Sequence, residues 1–321
     1  MLPSENEIYQ SHIQLNKVSI KILKIILLGI ITNWDAMEKI WDHMFVDELR
    51  CFPEEQPVLM TDATLNPKAN REKIAEIMFE KFQIPGLFLT SPAPMALLAS
   101  GRRSGVVLDC GESVTHAVAL YEGSVITHSI KSLDLAGSEL TTYITKLLRE
   151  RYDYLTWDIC KHIKEKNTHV AVDYNKEVSK PQKYLVEPDG QELTILEEQY
   201  KVPEVLFQPS LLGMEYEGIH KLIYNSIMAT DQELTGDLFK NVIVEGGSTM
   251  FPGFGERLTK ELSAIAPKNM NVKVYAPPER AWSVWIGANM LSSLSVMQEL
   301  WVTRRDYDEN GARTVHTKCL I

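Results

Sequence analysis

Apolar positions in this chain fall into short unbroken runs and into longer stretches of helical period, and the change from one to the other marks its elements. Val106, Val107 and Leu108 run straight into Asp-Cys-Gly-Glu-Ser, and the chain returns as a second apolar run toward Gly123. That pattern predicts a strand, a tight turn and a strand. Val242 to Gly253 repeats the theme: an apolar strand ends in Gly-Gly, then come Ser248, Pro252 and a helical period from Phe254 to Ala266. Helical spacing also predicts a helix capped by Thr32 or Asn33 that buries Met37, Ile40, Trp41 and Met44. Pro67 opens another, with Ile74, Ile77, Met78 and Phe82 on its apolar side. Ser138 is the expected cap of a helix over 139–150 with Leu140, Ile144, Leu147 and Leu148 inward. The text from Arg151 to Gly190 is more polar, and no repeat or low-complexity tract stands out.

The two glycine turns carry the candidate chemistry. A turn of small residues aims several N–H groups at one anion, and an acidic residue at its start suits a hydrated metal ion. Gly105 to Gly123 has this form, with Asp109 leading the turn. A turn of the same composition also serves simply to reverse a chain. The adjacent Gly246 and Gly247 let a backbone approach a flat ligand, and the helix start beyond them offers unpaired N–H groups. Two such strand–glycine–helix units suggest two similar half-domains facing one cleft.

Bulk properties narrow the classes. A chain of 321 residues, 45% of them apolar, can fill two compact lobes. A net charge of −10 argues against direct nucleic-acid binding and favours partners with basic or amphipathic motifs. Cys51, Cys110, Cys160 and Cys319 show no metal or CxxC spacing, which suits a reduced, intracellular protein. Between Val18 and Ile31 the uninterrupted apolar run is only Ile25 to Ile31, too short to cross a bilayer, so no transmembrane segment and no cleavable signal are expected. Lys17, Lys21 and Lys24 share one helical face with Ile20, Leu23 and Leu27 largely opposite. This stretch reads either as a basic amphipathic helix for a membrane surface or as an element packed over a sheet.

ITNWDAMEKIWDHMF, PVLMTDATLNPKANREKIAEIMFEKF, LDLAG, FQPSLLGME and PPERAWSVWIGANMLSSLS strongly resemble the actin family, in order from about Gly29 to Cys319. The resemblance implies an α/β protein of the two-lobed actin, sugar-kinase and Hsp70 superfold. The first thirty residues do not match the family's opening, so its first phosphate-loop hairpin and small outer subdomain are expected to be missing, as in a truncated or divergent chain. By the same resemblance residues 1–31 are an unmatched segment. Residues 32–100 and 283–321 form a first-lobe subdomain, 101–136 and 221–282 the inner part of the second lobe, and 137–220 its outer part.

Carried over residue by residue, the family pattern assigns Asp109 to magnesium through its water shell, and the backbone at Gly111, Ser113 and Val114 to the phosphates of ATP or ADP. Glu112 stands where the family has aspartate, and His116 matches a histidine beside the attacking water; these two are the catalytic candidates. Gly137, Lys164 and Glu165 match the ribose and adenine side, and Gly246, Gly247, Met250 and Phe251 the wall beneath the adenosine. Pro92 occupies the place of the water-positioning glutamine and has neither an N–H nor an amide to orient a water. Ala281 replaces a lysine at the adenine. Losing two or three charge-assisted bonds of roughly 1.5–3 kcal/mol each weakens nucleotide binding by on the order of 10³-fold.

Partner surfaces follow the same pattern. Leu211 and Leu212 match an apolar loop tip that inserts between subunits of actin-type filaments. Leu291, Leu294 and Leu300, with Leu98 and Ala99, match a groove for amphipathic helices of actin-binding proteins. The implied function is an adenine-nucleotide-binding, filament-forming cytoskeletal protein of the cytoplasm, with the nucleus also open and hydrolysis doubtful. The alternative is a non-polymerising actin-related interaction subunit with a vestigial cleft. A small-molecule kinase of the same superfold needs a carboxylate base aimed at a substrate hydroxyl, and no candidate stands outside the actin-like words.

Overall fold

The computed structural model describes residues 25–177, 184–186 and 193–319. Strands in chain order are β1 (Ile26–Leu27), β2 (Ile30–Ile31), β3 (Val58–Thr61), β4 (Gly86–Thr90), β5 (Gly105–Cys110), β6 (Thr115–Tyr121), β7 (Ser124–Val125), β8 (Lys131–Leu133), β9 (Tyr184–Val186), β10 (Leu193–Ile195), β11 (Val242–Glu245), β12 (Val274–Tyr275) and β13 (Val302–Thr303). Together with the helices between them they make an α/β protein of two compact units. Of the described residues, one unit comprises 25–91 with 295–319, the other those between 92 and 294.

In the first unit the sheet runs β13-β4-β3, with β3 parallel and β13 antiparallel to β4. β4 reads GLFLT and every residue of it is buried, as a central strand covered on both faces requires. Asn33 is the cap the sequence anticipates: its Oδ1 accepts from the Ala36 N–H at 3.1 Å and opens helix Trp34–His43, with Trp41 buried. Helix Lys68–Glu76 continues as a π-helical turn, Ile77–Lys81, and Ile74, Ile77, Met78 and Phe82 are buried as their spacing predicts. Phe79 stacks on Tyr307 at 4.6 Å, which ties this segment to helix Arg304–Asn310.

The element expected over 18–31 is described only from Ile25. There the chain makes the β1–β2 hairpin rather than a helix, with Leu28 and Gly29 both at positive φ in its two-residue turn. Residues 18–24 lie outside the described residues.

The second unit is built on a six-stranded sheet, β12-β11-β5-β6-β7 with β8 also paired to β6. β11 is parallel to β5 and β12, while β5 and β6 are antiparallel. Alternation sends Val106, Leu108, Cys110, Ala117, Ala119, Val242 and Val244 into one core with Leu140, Ile144, Leu148, Phe239 and Phe254. It sends Val107, Val118, Leu120 and Ile243 to the opposite face, against Ala93, Ala96 and Leu97 of helix Pro92–Ala99. Burial on both faces explains why these strands read as unbroken apolar runs.

Three features depart from the sequence expectations. The two glycine turns do not head separate half-domains facing each other; they end adjacent parallel strands of a single sheet. Helices Pro92–Ala99 and Ser283–Ser292, grouped by sequence with the first lobe, cluster with the second unit. They pack closely because Gly287 has no Cβ to collide with the Met95 backbone. Finally, helix Gly137–Arg149 starts before Ser138, because the Glu139 carboxylate accepts from the Ala136 N–H at 3.0 Å and supplies the cap itself.

Candidate functional site

The site grows from the C-terminal ends of β5 and β11, the end of an α/β sheet at which ligands bind. Glu245 pairs with Asp109 across the parallel ladder, Asp109 with His116 across β5–β6, and His116 with Ser132 across β6–β8. Residues in register share a face, so Glu245, Asp109, His116 and Ser132 form one row, with neighbours about 4.8 Å apart. Val107 and Ile243, two residues before the acids, place this row on the face covered by helix Pro92–Ala99.

Burial dominates the electrostatics of the row. It pushes the Asp109 carboxyl up to about 6. Glu245 is 1% exposed; burial and then the adjacent Asp109 raise it well above the usual carboxylate value. Its Oε1 has no hydrogen-bond donor. Burial lowers His116, against the opposing pull of Asp134, and so favours a neutral imidazole.

The turns are locked together by their carbonyl oxygens. Gly111 O accepts from the Gly137 N–H at 3.1 Å and from Ser248 Oγ at 2.7 Å, and Glu112 O accepts from the Ser138 N–H at 2.7 Å. These bonds join the 111–114 turn, the start of helix Gly137–Arg149 and the Gly246 turn, and they leave the N–H groups of Gly111, Ser113 and Val114 out of the joint. Two glycines are required by contact: a Cβ on Gly137 would come within 2.7 Å of Ser248 Oγ and 2.9 Å of Glu112 Oε2. At Gly246, with φ of +92°, it would overlap the Cys110 carbonyl. By contrast a Cβ on Gly111 or Gly247 meets nothing within 4 Å, so space opens over both turns.

The remaining predicted residues are distributed unevenly. Lys164 is buried, and its Nζ donates to Gly137 O at 2.8 Å and Thr141 Oγ1 at 2.9 Å, bracing the helix start. Its neighbour Glu165 is exposed on helix Trp157–Asn167. Glu112 lies 3.5 Å from Lys161 Nζ. Met250 is exposed beside the Gly246 turn, whereas Phe251 sits in the main core. Pro92 opens its helix, where a missing N–H costs nothing. Leu211 and Leu212 are not a bare tip: they are half-buried and pack against the core of their own unit. Leu291 is half-buried, Leu294 is exposed, and Leu300 belongs to the first unit.

Glu245 was not legible as a site residue. The available signal was a carboxylate closing an apolar strand immediately before Gly-Gly. Among the described residues no helix is long and apolar enough to cross a membrane, and no group of three or more His, Cys, Asp and Glu side chains is arranged to hold a metal ion.

The family model for actin matches residues 4–157 and 153–320. The matched range takes in most of the stretch ahead of Ile31 that was set apart by sequence. Two matches that between them span nearly the whole chain, over an α/β fold of two compact units, make this protein a member of the actin family.

Proposed function

We propose that this chain binds a magnesium–adenine nucleotide at the paired turns of its second unit and hydrolyses it slowly at most. The observation that carries this reading is the juxtaposition of the Gly111 and Gly246 turns on adjacent parallel strands, bolted through Ser248 and open above Gly111 and Gly247. The open space and the unpartnered Glu245 oxygen fit a ligand that brings both a phosphate chain and a cation. Asp109 holds the magnesium side, the N–H groups of Gly111, Ser113 and Val114 bind phosphate, and Gly246 and Gly247 form the floor. Bound magnesium neutralises phosphate charge and orients the chain of phosphates. His116, kept neutral, accepts a hydrogen bond from water, but Pro92 supplies no amide to fix that water, so turnover is slow.

Equilibrium binding of Mg·ATP to the purified, monodisperse chain tests this. Micromolar affinity, weakened about 100-fold by Asp109→Ala, is the expected outcome. A folded chain that ignores millimolar nucleotide would overturn it.

For assembly, the proposed reading is a filament former, with a non-polymerising interaction subunit as its alternative. Leu211 and Leu212 already pack on their own core, which reduces what they offer a neighbouring subunit. Sedimentation across a concentration series with Mg·ATP decides between the two, a sedimenting polymer supporting the filament.

A further inference from the structure

We infer that Glu245 is a second carboxylate for the divalent cation, so that Asp109 and Glu245 together form a cation seat that fills without nucleotide. This deepens the nucleotide-site reading and rests on its placing of the metal beside Asp109.

The starting point is an acid with nothing to offset it. Buried charges are paired or coordinate a metal. The other buried acids among the described residues follow the first course. Glu204 is gripped by Arg257 through Nη1 at 2.8 Å and Nη2 at 2.7 Å. Asp62 meets Arg71 at 2.9 Å. Glu198 receives Arg151 at 2.7 Å and the Leu196 N–H at 2.8 Å. Glu245 is as buried as these, yet its Oε1 has no donor.

Among the described residues, its surroundings supply no cation. The residue in register beside it is another acid, Asp109, and beyond that stands His116. The nearby Arg280 spends its guanidinium on Thr249 O, at 2.8 Å, and on Pro277 O, at 2.9 Å. Lys164 is committed to Gly137 O and Thr141 Oγ1.

The geometry suits an ion in the vacant role. Two carboxylates leave adjacent parallel strands in register and on one face, with backbones about 4.8 Å apart, a spacing that one ion between them can bridge. The chemistry of the pair also selects among ions. A pair of carboxylates is a small set of protein ligands, fewer than structural zinc or calcium sites commonly use. Magnesium takes one or two carboxylates and completes its shell with water or phosphate oxygens.

The probe is Mn²⁺, titrated into the nucleotide-free, chelator-stripped chain and followed by the electron paramagnetic resonance of the free ion. One saturable Mn²⁺ per chain, displaced by Mg²⁺, is expected. Glu245→Gln and Asp109→Asn should each weaken it at least about tenfold. Equal affinity in Glu245→Gln, or no Mn²⁺ bound by the folded unaltered chain, overturns the inference and leaves a pair of acids sharing a proton. Should Glu245→Gln fail to fold, Glu245→Asp keeps the charge but withdraws it by one methylene. It should shift the competition from Mg²⁺ toward the larger Ca²⁺, and an unchanged preference counts against the seat. Mn²⁺ bound without any Mg·ATP affinity would sink the nucleotide reading and keep this one. Mg·ATP binding with Mn²⁺ affinity untouched by Glu245→Gln would do the reverse.

Discussion

Two glutamates of the second unit, Glu204 and Glu245, are equally hidden from water and differently treated. Glu204 ends helix Glu198–Glu204 with both oxygens held in the fork of Arg257, and Gln208 Nε2 adds a bond at 2.6 Å. Glu245 ends a strand beside a second acid, with one oxygen empty-handed. The fold therefore has the means to neutralise a buried carboxylate and does so where the carboxylate is structural. Where it does not, at the mouth of two glycine turns, the partner we propose is a cation from outside.

The strongest way to break the contrast is to strip Glu204 of its partner. Arg257→Met should lower the free energy of unfolding by about 4 kcal/mol in urea denaturation, because it strands a buried charge. A loss under about 1 kcal/mol would mean that the Arg257–Glu204 pair adds little net stability. Next in size is Gly246→Ala, which adds a Cβ at positive φ against the Cys110 carbonyl. It should cost about 3 kcal/mol and abolish nucleotide binding, whereas Gly247→Ala, with open space around it, should leave stability within about 1 kcal/mol. Glu245→Gln should act in the opposite sense to the Arg257 change: in chelator at neutral pH it removes an uncompensated acid and stabilises by about 1 kcal/mol in the same assay.

The smallest effect extends the comparison to a more exposed acid. Asp306 accepts from Lys318 Nζ at 2.7 Å and from the N–H and Oγ1 of Thr303, which together hold it down at about 2. A carboxyl held below its unfolded value contributes stability above about pH 4 that is lost as pH falls toward 2. Solvent screening leaves about 1 kcal/mol of it. Asp306→Asn should flatten the stability profile across that window and change nothing at pH 7 beyond this amount.

What could be read in the sequence was what depends on near neighbours. The apolar runs before Asp109 and Gly246 mark β5 and β11, because strands covered on both faces carry no polar alternation. The Asn33 cap and the apolar side of the helix after Pro67 follow from spacing within a dozen residues. Register between distant strands leaves no such trace. Nothing local to VIVE says that Glu245 will stand beside Asp109, so the acid pair and the placing of both turns on one sheet required the fold. Likewise Ser138 looks like a cap until Glu139 performs that role, and an apolar Leu211–Leu212 pair reads the same whether it meets a neighbour or its own core. The grouping of helix Ser283–Ser292 turned on one absent side chain, at Gly287, whose meaning depends on what lies opposite.

The tie between Ser248 and the Gly111 carbonyl has a mechanical consequence. With the β5–β11 ladder beneath it, this bond makes the two turns one stiff body, and neither can swing away from the other without tearing sheet hydrogen bonds. The floor of the site thus has no hinge of its own. Amide protons along β5 and β11 should therefore be among the slowest of the unit to exchange.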